Sequence, residues 1–313
     1  IWHGETETVV VSTKREETPW QEIKVSTAEE FVNAIGSNRE IILAPGKYDL
    51  STIKHQNSSD HTAAELWESV EDGRELVIQN VSNLTIRGSE TGKTELVTSP
   101  RFAEVMTFVN SRDITIVNIT AGHAPIKGYT CEAGVLKFSG GSRISISNSE
   151  LYGCGSVGLT LNYASDLKCD NVNINDCSLT AVYLYQSHNI TLSNTRLQSH
   201  ETDGSILTAY DCYNLLLENC DIVDNDFKGS LIAFRGGFGA VLDNCRITDN
   251  RQNYDPGYEA GYFFKVIGFC GKGSWLQIKN STISGNRCDY LADDEDMLIF
   301  ENCKIENNSF CSP

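Results

Sequence analysis

Apolar and polar residues alternate along most of this chain, and the alternation recurs in a fixed frame: apolar, any, apolar, any, Asn, two residues, apolar. The frame begins at Ile114, Ile116 and Asn118. It returns at Ile144, Ile146, Asn148 and Leu151, at Leu167, Asn171 and Ile174, and at Ile190, Leu192, Asn194 and Leu197. Four more copies centre on Asn219, Asn244, Asn280 and Asn302. The asparagines step by 30, 23, 23, 25, 25, 36 and 22 residues. Alternation with period two predicts strands. Strands repeating at 22 to 25 residues, with no helical pattern between them, predict coils stacked into a solenoid.

A constant Asn in stacked coils can bond its amide to the Asn above. A second register follows three residues after the last apolar position of the frame: Cys154, Cys177, His200, Asn225, Asn250, Asn286 and Asn308. Its last four members predict another Asn ladder, and Cys, Cys and His replace it in the first three.

Another strand precedes each frame. Its inward pairs are Leu136/Phe138, Leu159/Leu161, Val182/Leu184, Leu207/Ala209 and Ile232/Phe234. Side chains alternate across a strand, so the neighbours point outward. They are Lys137 and Ser139, Thr160 and Asn162, Tyr183 and Tyr185, Thr208 and Tyr210, then Ala233 and Arg235, with Lys265 continuing the row. Tyrosines thus gather on one face with bases at both ends. The outward positions of the Asn-bearing strands are mostly small or simply charged.

Near the amino terminus, Ser26 to Ile35 reads as an amphipathic helix with a Ser or Thr cap, and Glu40 to Leu50 as strand, Pro-Gly turn and strand. A helix there would cover the open end of the first coil. This stretch resembles the start of secreted proteins of the pectin-lyase-like fold. From about residue 25 to 310 the chain resembles right-handed parallel β-helix repeat proteins. The resemblance implies an all-β, single-stranded right-handed parallel β-helix with a short N-terminal capping helix. It divides the chain into an extension, 1–24, and a β-helix domain, 25–313. It also implies carbohydrate work by analogy of fold. The polygalacturonase signatures are not matched: Gly122-His123 is followed by Ala124, Asn194-Thr195 by Arg196, and Arg-Ile-Lys does not occur. No pectate-lyase signature is present.

The period breaks at Gly122–Cys131 and at Arg251–Gly261, and a further irregular stretch, Ile53 to Asp72, holds His55, Asp60, His61, Glu65 and Trp67. Insertions into a solenoid emerge as surface loops, where binding and catalysis concentrate. Both main insertions border the tyrosine face.

Composition narrows the partners. The net charge of −17 argues against nucleic acid, whose phosphates need clustered Lys and Arg. No stretch reaches 18 apolar residues, so no membrane span is expected. Eleven cysteines and a start without Met suggest a mature secreted or cell-surface protein. A monomer is expected.

The chemistry that fits is recognition of a polysaccharide or glycan, since tyrosine rings offer flat apolar area with a polar tip. The candidate binding residues are Lys137, Asn162, Tyr183, Tyr185, Tyr210, Tyr258 and Glu259. Asp203, Asp211, Arg235 and Lys265 are the candidate catalytic groups, for a hydrolase needing two carboxyls or a lyase needing a base and a neutralising cation. The alternative is a binding, adhesion or structural β-helix without catalysis. No cofactor is expected, with calcium at the acidic run Asp289 to Asp296 as the one candidate. Cys154, Cys177 and His200, with His123 and Cys131, make a weak soft-metal set. Buried free thiols that act as small core residues, or bridges Cys154–Cys177, Cys220–Cys245 and Cys288–Cys311 between adjacent coils, are the alternative use of the cysteines. Arg196, Asp221 and Arg246 predict an exposed charge column.

Overall fold

The computed structural model describes residues 19–53, 66–124, 132–153, 156–253, 262–267 and 275–311. Its strands stack into a solenoid; among the described residues every pairing but one hairpin is parallel, and the register shifts only near Cys288 and Tyr290 in the last coil. Three long sheets run its length. The tyrosine sheet contains Gly73–Gln79, Met106–Val109, Leu136–Ser139, Val157–Asn162 and Thr180–Tyr185. It continues through the first halves of Leu207–Glu218 and Ile232–Asp243 and into Tyr262–Ile267. The asparagine sheet starts at Gln21–Val25 and Arg39–Leu43 and includes Arg112–Val117 and His188–Ser193. The third sheet includes Thr94–Thr98, Arg196–Gln198, Asp221–Val223 and Arg246–Thr248. Each coil crosses all three before returning.

The core lies inside this tube. Leu136, Leu159, Val182, Leu207 and Ile232 stack as one column, and Phe138, Leu161, Leu184, Ala209 and Phe234 as the next. All are essentially inaccessible, and Phe108 stacks on Phe138 with centroids 4.8 Å apart. The capping helix is Ala28–Ala34. Thr27 Oγ1 accepts from the Glu30 N–H at 3.1 Å, and the Glu30 carboxylate accepts from the Ser26 N–H at 2.7 Å. Phe31 and Val32 are buried against the first coil, as an end cap requires.

The two asparagine registers have different jobs. All eight residues of the repeat frame, Asn118 to Asn302, adopt a left-handed backbone with φ between 47° and 57°. An L side chain is strained there, and Asn tolerates it best after Gly. All of these residues but the half-buried Asn118 are exposed. Some bond up the stack, such as Asn244 Nδ2 to Asn219 Oδ1 at 2.7 Å, but Asn194 and Asn280 reach Asp170 and Asp243 instead. The residue is first a device for turning the chain, and the stacking is secondary.

The second register is buried and closed. Asn250 Nδ2 donates to Asn286 Oδ1 at 2.9 Å and to the Ile222 carbonyl at 2.8 Å. Its Oδ1 accepts from the Nδ2 and the N–H of Asn225. Asn225, Asn286 and Asn308 repeat the arrangement. His200 heads the column: its N–H donates to Asn225 Oδ1 at 3.1 Å, and its Nδ1 accepts from the Cys177 N–H at 3.0 Å. With Nδ1 accepting, the neutral ring carries its proton on Nε2. Among the described residues no group of three metal-ligating side chains converges.

The expected bridge between Cys220 and Cys245 does not form. Both are buried free thiols, and so is Cys177. Cys220 Sγ donates to the Leu192 carbonyl at 3.1 Å and Cys245 Sγ to the Leu217 carbonyl at 3.4 Å. They fill the column where other coils place Thr195 and Ser281, whose hydroxyls also bond to carbonyls. Cysteine here is a small inward residue with a weak donor. Cys131 and Cys154 lie outside the described residues, as does the side chain of Cys311. Arg246 chelates Asp221 at 3.0 and 2.9 Å, forming part of the exposed charge column, where such pairs contribute little.

Asn250→Leu leaves the Asn225 N–H and the Ile222 carbonyl without partners and should destabilise by about 3 kcal/mol. Asn219→Gly keeps the turn and should stay within about 1 kcal/mol of the parent. Equal losses in chemical denaturation would refute the division of roles. Burial holds His200 down at about 4, against an ordinary 6.5. The unfolded chain therefore binds an extra proton between these values, and stability falls as pH drops through that window, by about 3 kcal/mol at its lower end. His200→Asn, which continues the ladder, should abolish this share of the acid sensitivity in thermal melts across pH 4 to 7.

Candidate functional site

The outward side of the tyrosine sheet carries two columns set by strand register. One runs Val77, Thr107, Lys137, Thr160, Tyr183, Thr208, Ala233, Lys265. The other runs Gln79, Val109, Ser139, Asn162, Tyr185, Tyr210, Arg235. The order of the Lys137-to-Lys265 stretch is the one the alternation implies. Coils rise about 4.8 Å each, so Lys137 and Lys265 stand about 24 Å apart.

The carboxyl-terminal half of this face is an aromatic platform. The Tyr183 and Tyr210 rings lie 6.0 Å apart, and the Arg235 guanidinium sits 5.4 Å over the Tyr210 ring. Arg235 Nε is buried with no hydrogen-bond partner among the described residues. Tyr163 adds a ring that alternation alone does not supply. It occupies a turn column otherwise filled by Asn80, Asn110, Gly140, Gln186, Asp211 and Gly236, all at positive φ. A tyrosine at φ 55° is unfavourable for its backbone, yet its ring is 62% exposed and meets Tyr185 edge-on at 5.3 Å. Strain retained to hold a ring in solvent is a mark of a working surface. The Tyr163 hydroxyl, bonded to that of Tyr185, holds the Tyr185 phenol above its ordinary range.

The candidate catalytic groups do not converge. Asp203 lies at one border of the face, 69% exposed and paired with Lys228 at 2.7 Å. Asp211 lies at the opposite border, accepting from Gln186 Nε2 at 3.4 Å. Lys265 faces Tyr262 at 5.7 Å, next to a cavity of about 600 Å³ lined by Tyr290 and Asp293–Asp296. Tyr258 and Glu259 lie outside the described residues.

The amino-terminal half holds a group that pattern reading passes over. The hairpin Trp67–Val70 with Gly73–Gln79 walls this end, and Thr107 beneath it is buried. At the foot of the wall stands Glu104, 12% exposed, with Oε1 3.9 Å from Lys137 Nζ. Glu104 Oε2 and Thr107 Oγ1 are buried without partners among the described residues. Burial is the main cause that lifts the Glu104 carboxyl to about 7; Lys137 opposes the rise and Glu75 reinforces it. Gly134 makes room for it: a Cβ there would lie 2.7 Å from Glu104 Oε2 and collide with the Val157 carbonyl. On the other side of Gly134, His123 Nε2 donates to its carbonyl at 2.8 Å, and burial pushes the His123 imidazole down. The available signal was a lone acid in the apolar run Ala103 to Val109.

A trough of about 870 Å³ follows the asparagine turns on another side. No aromatic ring lines it. The tyrosine face is therefore the stronger candidate.

These features define a parallel β-helix bearing one aromatic, cation-edged sheet. Residues 76–266, more than half of the chain, match the model of the right-handed beta helix region, and the chain belongs to that family. An alginate lyase from Paenibacillus sp. str. FPU-7 is similar in structure, with TM-score 0.61 and 12% identity, covering 93% of this chain and 98% of that one. The pectate lyase Pel9A aligns with TM-score 0.55 and 12% identity over 95% of this chain and 79% of its own. The A-module of the Azotobacter vinelandii mannuronan C-5 epimerase AlgE4 aligns with TM-score 0.55 and 13% identity over 94% and 88%. At such identities the likeness is one of fold. No curated protein sequence matches the chain.

Gly134→Ala should destabilise by about 1 to 3 kcal/mol. Adding Glu104→Ala should not restore the melting temperature, because the clash with the Val157 carbonyl remains.

Proposed function

We propose that this protein binds a polysaccharide along its tyrosine sheet, outside the cell. The observation that carries the reading is the exposed Tyr163 ring held at positive φ against Tyr185, beside Tyr183, Tyr210 and Arg235. Stacked rings at coil spacing offer repeated apolar platforms to a polymer lying along the solenoid axis. The Arg235 guanidinium, lying over the Tyr210 ring on this face, suits a carboxylate or hydroxyl of that polymer. The structural neighbours named for alginate, pectate and mannuronan support a glycan partner. The extracellular setting follows from such a partner, since buried free thiols explain much of the cysteine usage without disulfides. No helix among the described residues is long and apolar enough to cross a membrane.

A glycan-binding role without cleavage is favoured for this half of the sheet by the separation of Asp203 from Asp211 and the pairing of Asp203 with Lys228. Affinity electrophoresis through gels containing alginate, pectate, glucans and xylans tests the reading. Retardation is expected in at least one acidic gel. Tyr210→Ala should weaken it about threefold to tenfold, from the loss of one aromatic contact. Arg235→Ala should weaken it more in acidic than in neutral gels. Mobility unchanged in every gel, or retained in full by Tyr210→Ala, would sink the proposal.

A further inference from the structure

Where the chain turns from the tyrosine sheet into the asparagine sheet, a column runs Asp166, Asn189, Asn214, Gly239, all at positive φ. Its side chains bond up the stack: Asn189 Nδ2 donates to Asp166 Oδ1 at 2.9 Å, and Asn214 Nδ2 to Asn189 Oδ1 at 3.0 Å. The ladder stops at Gly239, which has no side chain to offer, so Asn214 Oδ1 accepts no bond among the described residues. Asn tolerates this backbone, so the turn alone does not demand Gly. In the next coil Trp275 follows the column, since Leu276 pairs with Ala240, and its indole lies 3.5 Å from where a Gly239 Cβ would be. The missing side chain opens a notch that belongs to a cavity of about 580 Å³. Trp275, Leu216 and Val241 line it. Leu216 and Val241 are consecutive outward residues in a column that otherwise holds Lys168, Thr191 and Gln277 nearby. The rim charges nearly cancel. Lys168 is exposed and has no ion pair among the described residues, whereas Lys279 is tied to Asp243 at 3.1 Å. Bonds from Asn189 and Ser165 hold the Asp166 carboxyl below its ordinary range, so it stays ionised.

We propose that this notch is a second carbohydrate site, separate from the tyrosine sheet, that takes one pyranose ring of a neutral oligosaccharide. A pyranose presents C–H bonds on a face and hydroxyls around its edge. It calls for a flat apolar wall with both donors and acceptors beside it. Trp275, Leu216 and Val241 supply the wall, Asn214 Oδ1 and the Asp166 carboxylate accept, and Lys168 Nζ donates. An apolar side chain of a protein partner would cover Asn214 Oδ1 without bonding to it, at a cost of about 1 to 3 kcal/mol. A sugar hydroxyl meets that oxygen instead. The near-neutral rim gives an acidic sugar no advantage, unlike the cation-edged tyrosine sheet, so the two sites differ in chemistry as well as in place.

The test follows Trp275 by fluorine NMR of protein labelled with fluorotryptophan. The chain has four tryptophans, and Trp275→Phe assigns the resonance. Titration with xylohexaose, cellohexaose and hexagalacturonate should move it with at least one neutral sugar, and more than with the acidic one. The movement should persist in Tyr210→Ala, which alters the tyrosine sheet. Gly239→Asn closes the notch: a Cβ there meets the indole only at ordinary contact, and the added amide reaches Asn214 Oδ1. This variant should keep or raise the melting temperature and bind the neutral sugar about tenfold more weakly, the value of one hydrogen bond. Lys168→Met, on the exposed rim, should weaken it about threefold and serves as the second variant if Gly239→Asn does not fold. A Trp275 resonance that no sugar moves, or that hexagalacturonate alone moves, overturns the proposal. So does unchanged affinity in whichever of the two variants folds. A resonance that answers only to protein concentration also overturns it and names a second copy as the occupant. Each of these failures leaves the tyrosine face standing, because its gel retardation is read separately.

Discussion

The structure depends on parallel pairing of each coil with the next, in register, at the spacing of a β-sheet. That one constraint places each residue above its counterpart about two dozen positions earlier, so every column must be compatible with itself along the axis. Apolar columns fill the tube, and Phe108 stacks on Phe138 within it. Polar columns survive inside only if they close on themselves, as the amides of Asn225, Asn250, Asn286 and Asn308 do with carbonyls of the coils they span. Columns in the turns must accept positive φ, which explains the abundance of Asn, Asp and Gly there.

The same constraint decides what could be read from the sequence. Alternation and period place the inward pairs and the Lys137-to-Lys265 column, because a strand offers only two faces. The buried amide column was legible for the same reason. The role of the repeat asparagines was not, since a hydrogen-bonding amide and a left-handed turn favour the same residue, and only the backbone angle separates them. The choice between free thiols and bridges was not legible, because stacking at disulfide distance is a property of every column, whether or not its side chains turn toward each other. Glu104 was hidden for another reason. Its importance comes from what covers it and from the missing Cβ at Gly134, both products of chain segments distant in sequence.

Charge is arranged against the overall balance. The chain carries 42 acidic and 25 basic residues, yet Lys137, Arg235 and Lys265 all stand on the tyrosine sheet. Lys137 itself lies 3.9 Å from Glu104, and several bases elsewhere are tied to acids one coil away, as in Arg246–Asp221, Arg251–Asp226 and Arg143–Asp113. A strongly negative protein thus keeps one strip on which an anionic polymer would meet cations at intervals along its length, with the remaining surface repelling it.

The buried amide column has a direction. Each Oδ1 accepts from the coil before it, and His200 meets the same demand with one ring nitrogen. A whole coil, bounded by its own left-handed turns, can be copied or excised without reversing any of these bonds. A lone extra residue in a strand cannot be absorbed so, because it turns every following side chain to the wrong side. The architecture therefore tolerates change in quanta of one coil, and lineages of such proteins should differ in length by multiples of it, with smaller differences confined to loops.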